Sequence, residues 1–388
     1  MSLYDKASLV QIPSGTKAGT LYSVLPANGD GDFDHTRATS ATRVNKDGLI
    51  ESVGSNVPRL DYPLIDGVVQ DCPALLLEPS RTNVMTDSEL STSTIVNSGD
   101  GVSSDITLSN GLSGKKFSTT SSGRSFAQLT ASVSSGVQYT FSAFVENFTG
   151  DTISNFVDIT SGGGGEDFSS NLIENGKIKV SFTTTSTSVQ IRIGIGCTST
   201  LSGTRSAEIS GVQLETGSYA TSYIPTSGSA VTRNADVCNG AGTSAEFNDS
   251  EGVLFAEIAA LANDGTIRRL AIANSAATGL HRIELSSTDN QVFGVTYISP
   301  SNQAAISYTL TDVTTFFKIA YKYKANDFAL WINGVEVGVD PSGSVPTGLT
   351  KLNFDNGSGG NDFYGKVKQL MVFNEALTDA ELQTLTSL

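Results

Sequence analysis

The chain carries only two histidines, His35 and His281. Imidazole-based acid–base chemistry would have to run through one of them. His35 closes the polar stretch Asp30-Gly31-Asp32-Phe33-Asp34-His35, and His281 sits in an alternating segment where a packed or surface role suits it better than that of a general base. Asp30, Asp32 and Asp34 alternate like the start of a calcium loop. The sixth position is His35 where that loop needs Gly, and the twelfth is Ala41 where it needs Glu. Asp355, Asn356, Asn361 and Asp362 form a second oxygen-rich group around Gly357–Gly360. It suits sugar hydroxyls or a rim calcium held by Asp355 and Asp362, and the same residue types also serve as plain turns. No Gly-x-Ser-x-Gly elbow is present for a serine nucleophile. Gly162–Gly165 is not followed by Lys and Ser or Thr, so a hairpin loop is expected there and not a phosphate cradle. Glu257 and Glu284 are isolated acids that read as solvent-facing strand positions, without the facing pair that glycoside hydrolysis uses.

Glycan recognition needs exposed rings together with side chains that meet hydroxyls. Trp331 is the single tryptophan, in a context that favours burial, while Tyr297, Tyr308, Tyr321 and Tyr323 are further ring candidates. Loops 296–304 and 353–362 combine rings, hydroxyls and amides, which makes Tyr297, Asn302, Asn353, Asp355 and Asn361 the candidate sugar contacts. The sequons at Asn147 and Asn248 match chance expectation in a Ser/Thr-rich chain.

Strands must position these groups. Only 16% of residues are charged and Gly numbers 39, a composition of strands and polar turns, not of long helices. Val137–Val145, Lys177–Phe182 and Val189–Ile195 alternate with period two. Asn333-Gly334 separates two apolar runs as a hairpin turn, and Thr378-Asp379-Ala380-Glu381 starts a terminal helix with a capping box. The expected fold is all-β: an extended N-terminal arm (1–83), two jelly-roll β-sandwiches (84–236 and 250–388) joined by a linker (237–249), and a short C-terminal helix. Six of the ten prolines fall in the arm. It reads as an element without a core, packed on the later domains or on a neighbouring subunit and removable from the folded sandwiches. The net charge of −15 argues against duplex nucleic acid and anionic lipid as partners. No apolar run is long enough for a membrane span, and the first residues carry no signal pattern. Three widely spaced cysteines, Cys72, Cys197 and Cys238, fit free thiols in a reducing cytosol.

Three stretches resemble tailed-bacteriophage virion proteins of the tail-fibre and appendage type. They are Arg37–Asn45 with Gly48–Glu51 and Pro58–Tyr62, then Cys72–Asn83, then Gly211–Gly217 with Ala220–Thr226. The segment between the second and third is similar to the carbohydrate-binding-module-like jelly rolls of those proteins. The last block resembles a laminin-G/concanavalin-like sandwich, on Trp331–Gly338, Phe363–Val367 and Met371–Leu382. The resemblance implies a non-enzymatic virion structural protein assembled in the host cytoplasm. It docks to other virion proteins through its arm, oligomerises as a homotrimer, and presents lectin-like domains to host-surface polysaccharide. A head or tail decoration protein is the second reading and a polysaccharide-degrading enzyme the third.

Overall fold

The computed structural model describes residues 2–65, 68–149, 156–161, 165–167 and 176–388. The expected loop at 162–165 therefore falls largely outside the described residues. The chain is all-β, with two β-sandwiches. In the middle sandwich one sheet runs Thr94–Gly99, Ser122–Ser132, Ser188–Ile195, Val157–Ser161, Gly165–Asp167. The other runs Val102–Thr107, Ser113–Thr119, Arg205–Thr216, Gln138–Thr149, Lys177–Thr183. The alternating residues of these strands, among them Phe141, Ile178, Val180, Ile191 and Ile193, fill the space between the sheets. That is the outcome their period of two dictates.

The C-terminal sandwich has a five-stranded sheet in the order Ser301–Thr309, Gln291–Ile298, Gly279–Leu285, Arg268–Asn274, Leu349–Asn353. Facing it is a larger sheet in the order Val335–Asp340, Phe328–Ile332, Phe317–Lys324, Glu251–Ala260, Gly365–Phe373, Ala74–Leu77, Arg59–Asp61, with Leu9–Gln11 also on Gly365–Phe373. The 1–83 segment thus packs on the later domains as strands of this sheet. Leu75 pairs with Val367 and Leu9 with Val372, each antiparallel. Leu9, Leu21, Phe33, Leu75 and Leu77 join the same core as Leu254, Ile319 and Leu370. Short apolar pieces separated by Pro and Gly cannot close a core alone, and here they complete one built by residues about 300 positions away. The 237–249 stretch is packed as well. Val237–Asn239 pairs with Phe33–Thr36, and Ala241 and Phe247 are buried.

The hairpin at Asn333-Gly334 forms with φ of 49° and 83°, the left-handed pair that a two-residue turn requires. In the helix Asp379–Thr386, Glu381 accepts from the Thr378 backbone N–H at 2.9 Å. A second capped helix, Leu3–Lys6, places Lys6 Nζ 2.7 Å from Glu381, so the two ends of the chain meet. Trp331 packs under the C-terminal helix Asp379–Thr386. No helix among the described residues is long and apolar enough to cross a membrane. All three cysteines are free, with Cys72 exposed. Burial pushes the Cys197 and Cys238 thiols well up, which leaves them inert.

Inside the C-terminal sandwich, His281 Nδ1 lies 2.8 Å from Thr296 Oγ1, which lies 2.7 Å from Tyr321 Oη. The His281 ring stacks on Tyr323 at 3.6 Å. Burial lowers its pKa to about 3, so this histidine is neutral packing material at ordinary pH. Gly294 makes room for the Tyr321 ring, because a Cβ there would sit 2.2 Å from Tyr321 Cδ2. Gly294→Ala is therefore expected to destabilise the protein by about 1–3 kcal/mol through overpacking. Denaturant melting checks this, and an unchanged midpoint would show that the ring moves aside freely.

Candidate functional site

The densest collection of reactive side chains is sealed. Arg37, Arg59, Arg233, His35, Glu78 and Asp236 are each no more than 2% exposed. Asp236 accepts from Arg37 Nη1 at 2.8 Å, from the Glu78 backbone N–H at 2.9 Å and from Arg59 Nη2. Its Oδ1 lies 3.2 Å from His35 Nε2. Glu78 Oε2 accepts from Arg59 and Arg233 at 2.6 Å each, and Ser222 supplies its backbone N–H and hydroxyl. Burial opposes the Glu78 charge, but the two guanidiniums and Ser222 outweigh it and lower the carboxyl to about 2. Beside it Glu215 takes Thr221 and Gln213, and Asn83 accepts from the Leu214 and Met85 backbone N–H groups. Arg37, Arg59, Glu78, Asn83, Gln213, Glu215, Thr221 and Ser222 fall in the three stretches named above, while His35, Arg233 and Asp236 lie outside them. The cluster ties the start of the chain, the exit of the middle sandwich and the entry of the C-terminal one together. With every carboxylate already bonded and no opening to solvent, it is a structural joint without a seat for substrate.

The candidate metal and sugar residues separate on inspection. Among the described residues no three His, Cys, Asp or Glu side chains are placed to hold a metal ion. Asp32 accepts from Ser23 and Asp30 from Asn28, which makes these two turn formers, while Asp34 lies in the strand Phe33–Thr36. Asp355 is 1% exposed and accepts from Asn239 Nδ2 at 2.8 Å and the Gly357 N–H at 2.5 Å. Asn353 accepts from the Gly240 N–H at 2.9 Å. Both are buried and committed to the Gly240 and Gly357 backbone donors and the Asn239 side-chain amide, and this overturns their assignment as sugar contacts. Asn361 is exposed at φ 53°, its carbonyl accepting from the Arg269 N–H. Asp362, whose pKa burial raises, accepts from the Tyr364 hydroxyl. Asp355 is near enough to raise that pKa further. Tyr321 and Tyr323 are buried, leaving Tyr297 and the exposed Tyr308 as surface rings.

Tyr297 and Asn302 do come together, as cross-strand partners on the outer face of the five-stranded sheet. Cross-strand pairs lie on one face, so the register lays out a grid. One row reads Asn302, Tyr297, Leu280, Ala273, Lys351. The next reads Ala305, Val295, Arg282, Ala271, Asn353, and the third Ser307, Phe293, Glu284, Arg269. At about 4.8 Å per strand, Tyr297 and Lys351, the ends of three strand steps in one row, are roughly 14 Å apart. The 355–360 loop closes one side: a Cβ on Gly357 would come within 2.8 Å of Ala273 Cβ. Between this wall and the half-buried Phe293 and Tyr297 rings, Ala271, Ala273, Leu280 and Val295 are each no more than 3% exposed, so they back this face without forming an open floor. Beside them, Glu284 Oε2 accepts from Arg269 Nε at 2.7 Å and Arg282 Nε at 2.9 Å. Burial and the neighbouring Arg269 pull the Arg282 guanidinium below its ordinary value, against the pull of Glu284. Arg269, Arg282, Glu284 and Phe293 were not among the sequence candidates. Their period of two was visible, but not that three strands align in this register.

No family model and no curated protein matches the chain. Among solved structures it is similar to the Ruminococcus gnavus IT-sialidase CBM40, at 13% identity over 38% of this chain and 94% of that one, with a TM-score of 0.32. It is also similar to domain 4 of AbnA, a GH43 extracellular arabinanase from Geobacillus stearothermophilus, in complex with arabinotriose. There the identity is 14% over 39% of this chain and 73% of that one, and the TM-score 0.30. A third is the botulinum neurotoxin type G receptor binding domain, at 9% identity over 38% and 41% and a TM-score of 0.29. Likeness at this level assigns neither ligand nor residue.

Proposed function

We propose that the chain is a saccharide-binding protein whose contact surface is the outer face of the five-stranded sheet in the C-terminal sandwich. The observation that carries this is the grid itself. Phe293 and Tyr297 stand four residues apart on one strand, half-buried, with Val295 between them on the same face and the Arg282 and Glu284 side chains on the neighbouring strand. A pyranose ring offers a C–H face to an aromatic ring and hydroxyls at its edge. A shallow apolar platform with a few fixed polar groups meets both. Binding without turnover is the reading, since Glu284 Oε2 is committed to two guanidiniums. The sequence resemblance supports the setting: a subunit of a tailed-phage appendage, trimeric, attached to other virion proteins and meeting host-surface polysaccharide.

A glycan array probed with the full chain tests the reading, with reducing-sugar release measured on the bound polysaccharides. Binding without release is expected. Tyr297→Ala should weaken it by about 0.5–1.5 kcal/mol, up to roughly tenfold in Kd. Undiminished binding by Tyr297→Ala would move the site off this face, and sugar release would make the protein an enzyme.

A further inference from the structure

We infer that the recessed Arg269–Glu284–Arg282 cluster makes this face selective for saccharides that bear a carboxylate, of the sialic or uronic acid class. The inference rests on the saccharide-binding reading above. Two guanidiniums share one carboxylate oxygen, which leaves a local charge of +1 on a chain whose net charge is −15. Each guanidinium carries five N–H donors. Among the described residues both are engaged through Nε, so their Nη groups remain for a ligand. The planar Nη fork matches a carboxylate in a way that an ammonium does not. The side chains are 12–19% exposed, so a charge arriving there is less screened than at an open surface.

Glu284 holds both guanidiniums by the same oxygen and so fixes them before a ligand arrives, which limits the ordering cost of binding. Val295 and Ala271 flank Arg282 in its row and offer it no hydrogen-bond acceptor. The other charged groups of this face are spoken for. Lys351 Nζ donates to the Ser275 carbonyl at 3.2 Å, and Asp362 accepts from Tyr364. A neutral sugar can occupy the Phe293–Tyr297 platform but leaves the Nη donors to water. A carboxylated sugar satisfies them. Repulsion from the acidic chain as a whole is screened beyond about 8 Å at 0.15 M salt, so contact chemistry decides the preference there.

The test is calorimetric titration of the full chain at 0.15 M salt with matched probes: 3′-sialyllactose against lactose, and oligogalacturonate against its methyl ester. Acidic members should bind at least tenfold more tightly than their neutral partners. Arg282→Gln should bring each pair within about twofold, because the acidic member loses its Nη donors and the neutral one has none to lose there. Arg269→Gln serves as the second variant should the first fail to fold. Equal binding of neutral and acidic partners, or an acidic preference that survives Arg282→Gln, overturns the carboxylate assignment and leaves saccharide binding standing. Dextran sulfate binding as tightly as oligogalacturonate would make the seat a general anion site and overturn it too. Failure of every probe, neutral and acidic, overturns both.

Discussion

Asp236→Ala lowers the melting temperature by about 10 °C or leaves the protein insoluble. Asp236 is the shared acceptor of Arg37 and Arg59, both of them sealed from water. Removing one member of a buried ion cluster strands the other charges in low dielectric, at a cost of about 3–5 kcal/mol. At about 2–4 °C per kcal/mol for chains of 150–250 residues, that gives a shift of the stated size. A surface pair is the control: Lys324→Ala, which removes a half-exposed partner of Glu251, should leave the melting temperature nearly unchanged. The joint also sets an acid limit. Glu78 is lowered from 4.5 to about 2 in the folded state, so the unfolded chain binds its proton first as pH falls. Its contribution is complete above about pH 4.5 and is lost towards pH 2. His281 adds to this in the same direction. Its pKa falls from 6.5 to about 3 on burial, so its share is complete above about pH 6.5 and is lost as pH falls towards 3. Melting followed from pH 7 down to pH 3 should show a continuous fall. A flat profile, or an Asp236→Ala variant that melts with the native protein, would mean that this cluster is not what holds the segments together.

How much of this was legible in the sequence differs by element for physical reasons. Strands of seven residues or more, half-buried, write their face into the alternation. Lys177–Thr183 and Ser188–Ile195 match the expected runs almost to the residue, and the Asn333-Gly334 turn and terminal helix carry local signals of their own. Leu75-Leu76-Leu77 carries no such signal. The strand is covered on both faces, so the run is uniformly apolar, and four residues are too few to show a period. Its partner, Gly365–Phe373, lies nearly 300 residues away, a distance at which no local pattern specifies register. The site was legible by half. Tyr297 and Asn302 were picked as ring and amide near a turn, and they do meet. Asn353 and Asp355 looked equally suitable, because an Asn or Asp that satisfies buried backbone donors has the same composition as one that greets a ligand. Arg269, Arg282 and Glu284 lie on separate strands or two residues apart, and only the register makes them a cluster.

The second large effect concerns the first 83 residues, whose removal is expected to unfold the C-terminal sandwich and not merely detach it. Leu9–Gln11 and Ala74–Leu77 both pair with Gly365–Phe373, so their loss bares the hydrogen-bonding edge of a central strand. It also takes Leu9, Leu21, Phe33, Leu75 and Leu77 from the core. At about 1.5–3 kcal/mol per buried side chain, five such residues contribute on the order of 10 kcal/mol, an upper estimate. A whole domain is stable by only about 5–15 kcal/mol. The 250–388 fragment should therefore show poor chemical-shift dispersion, bind a hydrophobic dye and aggregate. The 84–236 fragment, whose core draws only on residues within its own bounds, should fold. The single change Leu75→Ala in the full chain should cost about 2–5 kcal/mol for the same reason. A monomeric, cooperatively melting 250–388 fragment would show that the N-terminal strands decorate a sandwich already complete. Its aggregation would mean that binding experiments on this face need the entire chain, because the sheet that carries Arg282 and Tyr297 is backed by a core that the first 83 residues finish.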